Sequence, residues 1–155
     1  MAERRYDLAL FGATGFTGGL TAEYLAANAP AGLKWALVGR NRAKLEAVRA
    51  RLASASPDAP VPDLVEADAA DRAALSGVAE SARVVITTVG PYALYGEPLV
   101  AACAAAGTDY VDLTGEPEFV DATWLEHDAT ARRTGARIVH CCGFDSVPHD
   151  LGAYL

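Results

Sequence analysis

Short apolar runs alternate along the chain with longer stretches in which apolar residues recur at three- and four-residue spacing. The first run, YDLALF (Tyr6–Phe11), is closed by Gly12, and residues 15–28 then carry Phe16, Leu20 and Tyr24 at helical intervals. KWALV at 34–38 predicts a second strand closed by Gly39. Asn41 stands where a side chain can cap the next helix, whose Leu45, Val48 and Leu52 share one side. After a proline-bounded loop at 57–62, residues 63–67 read as a third strand, followed by a helix through Leu75 and Val78. RVVITT at 83–88 is the most β-branched run and the clearest strand. Residues 96–106 and 119–133 read as helices, 108–113 and 137–141 as strands.

Six strands alternating with five helices predict an α/β fold: a doubly wound, parallel Rossmann sheet with helices on both faces and right-handed connections. The continuous apolar strands fit a sheet buried on both sides. No internal repeat interrupts the pattern, so residues 1–155 form one domain. The last residues, from Asp150 to Leu155, look like the beginning of a helix too short to stand alone in water. The expectation is an N-terminal piece of a longer protein.

Composition narrows the class. With 155 residues, 52% of them hydrophobic, the chain should bury about 68–70% of its unfolded surface. A net charge of −7 argues against a nucleic-acid or anionic-membrane partner. No stretch approaches the roughly 18 apolar residues of a membrane span. Met1-Ala2-Glu3-Arg4-Arg5 is partly basic, but the apolar run behind it is too short for a signal peptide. Three cysteines (Cys103, Cys141, Cys142) make no disulfide framework and suit a reducing cytoplasm. The three histidines lie at no metal-binding spacing, so no metal is expected. The 33 alanines, and 11 arginines against two lysines, reflect a GC-rich coding bias. Five of the 13 basic residues nevertheless fall between Arg40 and Arg51, opposed only by Glu46.

The sharpest motif lies earlier in the chain. Gly12-Ala13-Thr14-Gly15-Phe16-Thr17-Gly18 spaces its glycines as GxxGxxG at the first strand-to-helix junction. A dinucleotide site needs glycine for the tight turn, for close approach of backbone to a diphosphate, and for helix–strand packing. The helix N-terminus presents free N–H groups to the phosphates, and Thr14 and Thr17 can add hydroxyl donors. The competing reading is a turn whose glycines serve packing alone.

An NAD site places an acid about 20 residues beyond the glycine loop, on the ribose hydroxyls. Here the second strand ends Val38-Gly39-Arg40-Asn41-Arg42, with no acid before Glu46. A guanidinium binds a 2′-phosphate with two hydrogen bonds, whereas a carboxylate repels it. Arg40 is therefore the leading 2′-phosphate ligand, with Asn41, Arg42 and Lys44 beside it, and the cofactor is NADP (NADPH). The alternative is a solvated, basic helix start. Asp68, after the third strand, has two roles open: contact with the adenine amino group, or capping of the helix beginning at Ala69. Val89, Gly90, Pro91 and Tyr92 follow the fourth strand and should pass beside the nicotinamide ribose, Pro91 stiffening the turn.

Catalytic residues are not legible. None of the six tyrosines has lysine four residues later, as a short-chain dehydrogenase or epimerase would need, and there is no nucleophile elbow or Walker loop. Cys141 and Cys142 follow a strand but read as small core residues before nucleophiles. Asp112, Glu116, Asp145 and His149 fall at C-terminal strand ends, where helix caps and loop solvation explain each more simply than acid–base chemistry.

Four segments taken together resemble one family: GATGFTG, GRNRAKL at 39–45, VGPYALYGEPLVAACAAAGTDYVDLTGE at 89–116, and GFDSVPHDL at 143–151. They are similar to the N-terminal NADP-binding domain of the saccharopine dehydrogenase-like oxidoreductases, and to its bacterial branch of trans-acting enoyl reductases in polyketide lipid synthesis. The resemblance implies a second α/β domain completing the substrate site and often a homo-oligomer. It implies Gly12, Thr14, Gly15, Phe16, Thr17 and Gly18 at the diphosphate, Arg40 and Asn41 at the 2′-phosphate, and residues 89–92 at the nicotinamide. The expected function is the cofactor half of an NADP-dependent oxidoreductase acting on a small-molecule or acyl substrate, inactive without the remainder. The alternative is a non-catalytic NADP-binding redox sensor or regulator.

Overall fold

In the computed structural model, which describes residues 4–155, six parallel strands build one sheet. They are β1 (Tyr6–Phe11), β2 (Trp35–Gly39), β3 (Asp63–Glu66), β4 (Ala82–Thr87), β5 (Asp109–Val111) and β6 (Ile138–Val139), in the order β3-β2-β1-β4-β5-β6. The chain reverses its direction of winding between β1 and β4, which is where open α/β sheets leave a crevice beyond the strand ends. Residues 1–3 of the basic N-terminal segment lie outside the described residues.

Side-chain alternation divides the interior in two. Ala9 and Phe11 of β1, with Ala36, Val38, Val85 and Tyr110, face a core completed by Leu75, Val78, Leu99, Val100 and Phe119. Leu10, Trp35 and Leu37 face the opposite side, against Ala22, Ala26, Leu45, Val48 and Leu52. The helices α1 (Phe16–Asn28) and α2 (Arg42–Ala55) cover this second face. The first face carries α3 (Arg72–Ser81), α5 (Glu97–Ala106) and α6 (Pro117–Thr134). Between β4 and α5 lies a four-residue helix, α4 (Tyr92–Tyr95), and α7 (Val147–Tyr154) ends the chain with no buried residue.

Local chemistry explains most boundaries. The Asn41 side chain accepts from the Lys44 amide (3.0 Å) and starts α2. Gly107 and Gly135, both at positive φ, close α5 and α6. β5 and β6 are shorter than the runs at 108–113 and 137–141 suggest, although the Asp112 amide still donates to Val139 O (3.3 Å) and its carbonyl accepts from the Cys142 amide (2.7 Å).

The helix at 15–28 forms, but its stripe of Phe16, Leu20 and Tyr24 does not face the sheet: Phe16 is 85% and Tyr24 69% exposed, and the buried residues of α1 are Gly18, Gly19, Ala22 and Ala26. Close approach to the sheet demands small residues, so the apolar period lies on the outer side. Nor does Asp68 cap a helix beginning at Ala69. The cap is Asp71, which accepts from the Ala73 and Ala74 amides, and α3 starts at Arg72.

Candidate functional site

The β1–α1 turn is made by glycine geometry. Gly12 has φ 89°, and a Cβ there would lie 2.7 Å from Val89 Cγ2 and 2.8 Å from Thr88 Oγ1. The Gly12 amide donates to Val38 O (2.9 Å), and its carbonyl accepts from the Gly15 amide (3.0 Å). Helix α1 then opens on Gly15 with no side-chain cap and no acid in its first turn. Its first amides thus present an uncompensated positive end, suited to a phosphate.

Four strand ends surround this turn and enclose a cleft of about 380 Å³. Gly12, Thr14 and Gly15 contribute from the first loop, Gly39 and Arg40 from the second, and Asp68 and Ala69 from the third. Thr88, Val89 and Gly90 come from the fourth, with Tyr95 of α4. Arg40 is exposed at its rim and makes no hydrogen bond or ion pair among the described residues. Arg42 is occupied, donating to Glu46 Oε1 and to Leu64 O, each at 3.2 Å. Glu46 is thereby paired with Arg42 and not with Arg40. Asp68 Oδ1 accepts from the Ala70 amide (2.9 Å), which pins the carboxylate in the cleft wall.

Not every sequence candidate lines this cleft. Phe16 stands over a neighbouring depression with Leu20, Glu23 and Arg51, and Thr17 is exposed on α1. Gly18 is buried against the Gly12 carbonyl, so it serves packing. Asn41 spends its side chain on the α2 cap, and the exposed Lys44 and Pro91 are outside the lining. Tyr92 turns inward: it is 5% exposed and its hydroxyl donates to Thr87 O (3.0 Å). Burial, against the Leu113 amide and with Asp112 and Glu116 nearby, pushes its phenol up to about 12. Tyr95, three residues on, takes the place at the cleft wall. Sequence periodicity gave no sign of it, because the helix carrying it is only four residues long.

Two of the carboxylates at the strand ends, Asp112 and Glu116, are held by hydrogen bonds within the domain. Asp112 is buried, accepting at Oδ2 from His140 Nδ1 (2.7 Å) and the Tyr110 hydroxyl (2.9 Å), and at Oδ1 from the Thr114 and Cys141 amides (both 3.1 Å). Burial raises its proton affinity, but these hydrogen bonds outweigh it and hold the carboxyl below the usual range. Glu116 accepts from the Tyr92 and Ala93 amides, while Asp145 lies against Gly143 and His149 is exposed. Burial and then Asp112 push both the Cys141 and Cys142 thiols up, away from nucleophilic use. Glu97, Glu126 and His127 gather between α5 and α6, with His127 Nε2 3.1 Å from Glu97, but Arg72 already pairs with that carboxylate (3.2 Å).

A six-stranded Rossmann sheet with a glycine turn, an uncapped helix N-terminus and a free arginine at the end of β2 is an NADP-binding domain: the donors present match a diphosphate and a 2′-phosphate. The chain belongs to the saccharopine dehydrogenase NADP-binding domain family, whose model matches residues 8–139. Among curated proteins it is similar to the trans-acting enoyl reductase of Mycobacterium tuberculosis, 50% identical over 153 residues that are 99% of this chain and 36% of the relative. The Mycobacterium leprae trans-acting enoyl reductase is 51% identical over 152 residues, covering 98% and 35%. The chain thus spans about a third of the length of these relatives. Apo saccharopine dehydrogenase (L-Glu forming) from Saccharomyces cerevisiae shares the fold, with TM-score 0.73 and 22% identity over 96% of this chain and 29% of that one.

Proposed function

We propose that this chain is the cofactor-holding part of an oxidoreductase that reduces the carbon–carbon double bond of an enoyl substrate, the activity named for its mycobacterial relatives. NADPH, when bound, supplies the hydride, and a proton completes the saturated bond. This chain's residues bind and orient. The Gly12–Gly15 turn and the first amides of α1 take the diphosphate, Arg40 takes the 2′-phosphate, and Asp68 faces the adenosine. Thr88, Val89, Gly90 and Tyr95 form the remaining wall. The groups that touch the substrate, and any contacts between subunits, belong to the further length that the relatives possess. Asp112 and Glu116 are committed to hydrogen bonds within the domain and do not serve as the proton donor.

The observation that carries the NADP part of this reading is Arg40, which makes no hydrogen bond or ion pair among the described residues and shares a cleft with the glycine turn. Its test is a calorimetric titration of the chain with NADPH and NADH, beside Arg40→Ala. Losing a charged hydrogen-bonding partner should weaken NADPH binding about 10- to 100-fold and leave NADH unchanged. Equal affinity for both nucleotides in the unmutated chain would overturn the NADP assignment.

A further inference from the structure

We propose that Glu116 is a positioning residue for the cofactor cleft: its carboxylate holds the wall formed by residues 88–95 in the shape that a dinucleotide meets. The proposal rests on the NADP reading for the identity of that dinucleotide.

Both carboxylate oxygens are committed. Oε1 accepts from the Tyr92 amide at 2.7 Å and Oε2 from the Ala93 amide at 2.9 Å, two consecutive N–H groups at the start of α4. Val89 and Gly90 on one side of these amides, and Tyr95 on the other, line the cleft. Four residues cannot sustain a helix by themselves. This one is fixed inside by the Tyr92 hydroxyl on Thr87 O, and at its start by a negative group on its free amides. At its far end, Gly96 lies against the Phe119 ring, where a Cβ would approach Cζ to 2.6 Å.

Glu116 is itself held from the far edge of the sheet. Its amide donates to Thr114 Oγ1 (3.1 Å), and the Thr114 amide donates to Asp112 Oδ1 (3.1 Å). Asp112 is anchored to the end of β6 by His140 Nδ1 and by the Cys141 amide. A continuous set of hydrogen bonds therefore runs from the β5–β6 edge to the cofactor wall, and Glu116 is its last member. With both oxygens occupied, Glu116 acts through the segment it shapes.

Two measurements on the whole 155-residue chain test this. The first is amide hydrogen exchange without nucleotide, comparing the unmutated chain with Glu116→Gln and Glu116→Ala. In the alanine variant the Tyr92 and Ala93 amides should exchange about tenfold faster, while Ala73 and Ala74, capped by Asp71, keep their rates. Unchanged exchange at Tyr92 and Ala93 overturns the proposal. The second is NADPH titration well below the unfolding temperature, with Thr108→Val as comparator. Thr108 donates to Ala79 O and Ala82 O at the opposite end of the sheet. Glu116→Ala should bind NADPH about tenfold more weakly, because the wall is no longer preorganised. Thr108→Val should melt earlier yet bind as the unmutated chain does. Glu116→Ala binding within about twofold of the unmutated chain also overturns the proposal, because Glu116 would then contribute stability alone. If Glu116→Ala does not fold, Glu116→Gln, which keeps one acceptor, carries both tests with smaller changes of the same sign. Failure of the unmutated chain to bind NADPH counts against the proposed function, and the exchange result then decides the role of Glu116 alone.

Discussion

Gly18 rests on the Gly12 carbonyl: a Cβ on Gly18 would lie 2.8 Å from that carbonyl carbon and 2.9 Å from Thr88 Oγ1. The contact sets how closely α1 approaches β1, and with it the position of the amides that face the cleft. Alanine in a helix interior normally gains about 1 kcal/mol over glycine. Here overpacking against backbone, which costs about 1–3 kcal/mol, opposes that gain and cannot be relieved by a rotamer change. Gly77, also helical, has nothing within 4 Å of its added Cβ. Urea unfolding should therefore show Gly77→Ala stabilised and Gly18→Ala destabilised. Equal effects would show that α1 can move away from the sheet without cost.

The same contact shows what the sequence conceals. The six strands and their alternation with helices follow from the short apolar runs, and the basic end of β2 is legible as the absence of an acid before Glu46. The orientation of α1 is not. Its interior face is Gly18, Gly19, Ala22 and Ala26, which carry little hydrophobic signal, whereas Phe16, Leu20 and Tyr24 carry much of it on the outer side. Tyr92 and Tyr95 are indistinguishable in sequence, and only the turn of a four-residue helix sends one inward and the other to the cleft. Glu116 reads as one of several acids at strand ends, because its partners lie 23 and 24 residues away along the chain.

Acid should release the β5–β6 edge first. The Arg137 guanidinium on Asp109 holds that carboxyl low, against an opposing effect of burial, with the Arg137 amide adding to it. Asp112 is also held low, its hydrogen bonds outweighing burial. Both carboxyls have folded-state values below those of the unfolded chain. Their contribution is therefore complete above about pH 4 and is lost as pH falls through the lowered folded values. Unfolding free energy followed by urea titration should decline below about pH 4. Asp112→Asn should cost about 1.5–3 kcal/mol at neutral pH, since the neutral amide gives up the charge-assisted hydrogen bonds that the carboxylate accepts. It should also flatten part of the acid decline. An undiminished acid decline in Asp112→Asn would remove Asp112 from this account.

The thiols should separate by burial. Cys103 is fully buried in the core beside Leu99 and Val100, and burial pushes its thiol up to about 12. Cys142 is exposed and Cys141 half-buried, but burial and the charge of Asp112 raise both, so neither gains the thiolate character of a nucleophile. Alkylation with iodoacetamide at pH 8, followed by mass spectrometry, should modify Cys142 first, Cys141 more slowly, and Cys103 only in denaturant. Both surface thiols should react more slowly than a free cysteine, and their rates should climb with pH beyond the ordinary thiol value. The direction of the shift decides the sign: raising a thiol above its free value shrinks the thiolate fraction at neutral pH, whereas a catalytic cysteine enlarges it. Rapid modification of Cys141 or Cys142 at pH 6 would reverse this assignment and return the cysteine pair to the set of groups that could act on a substrate.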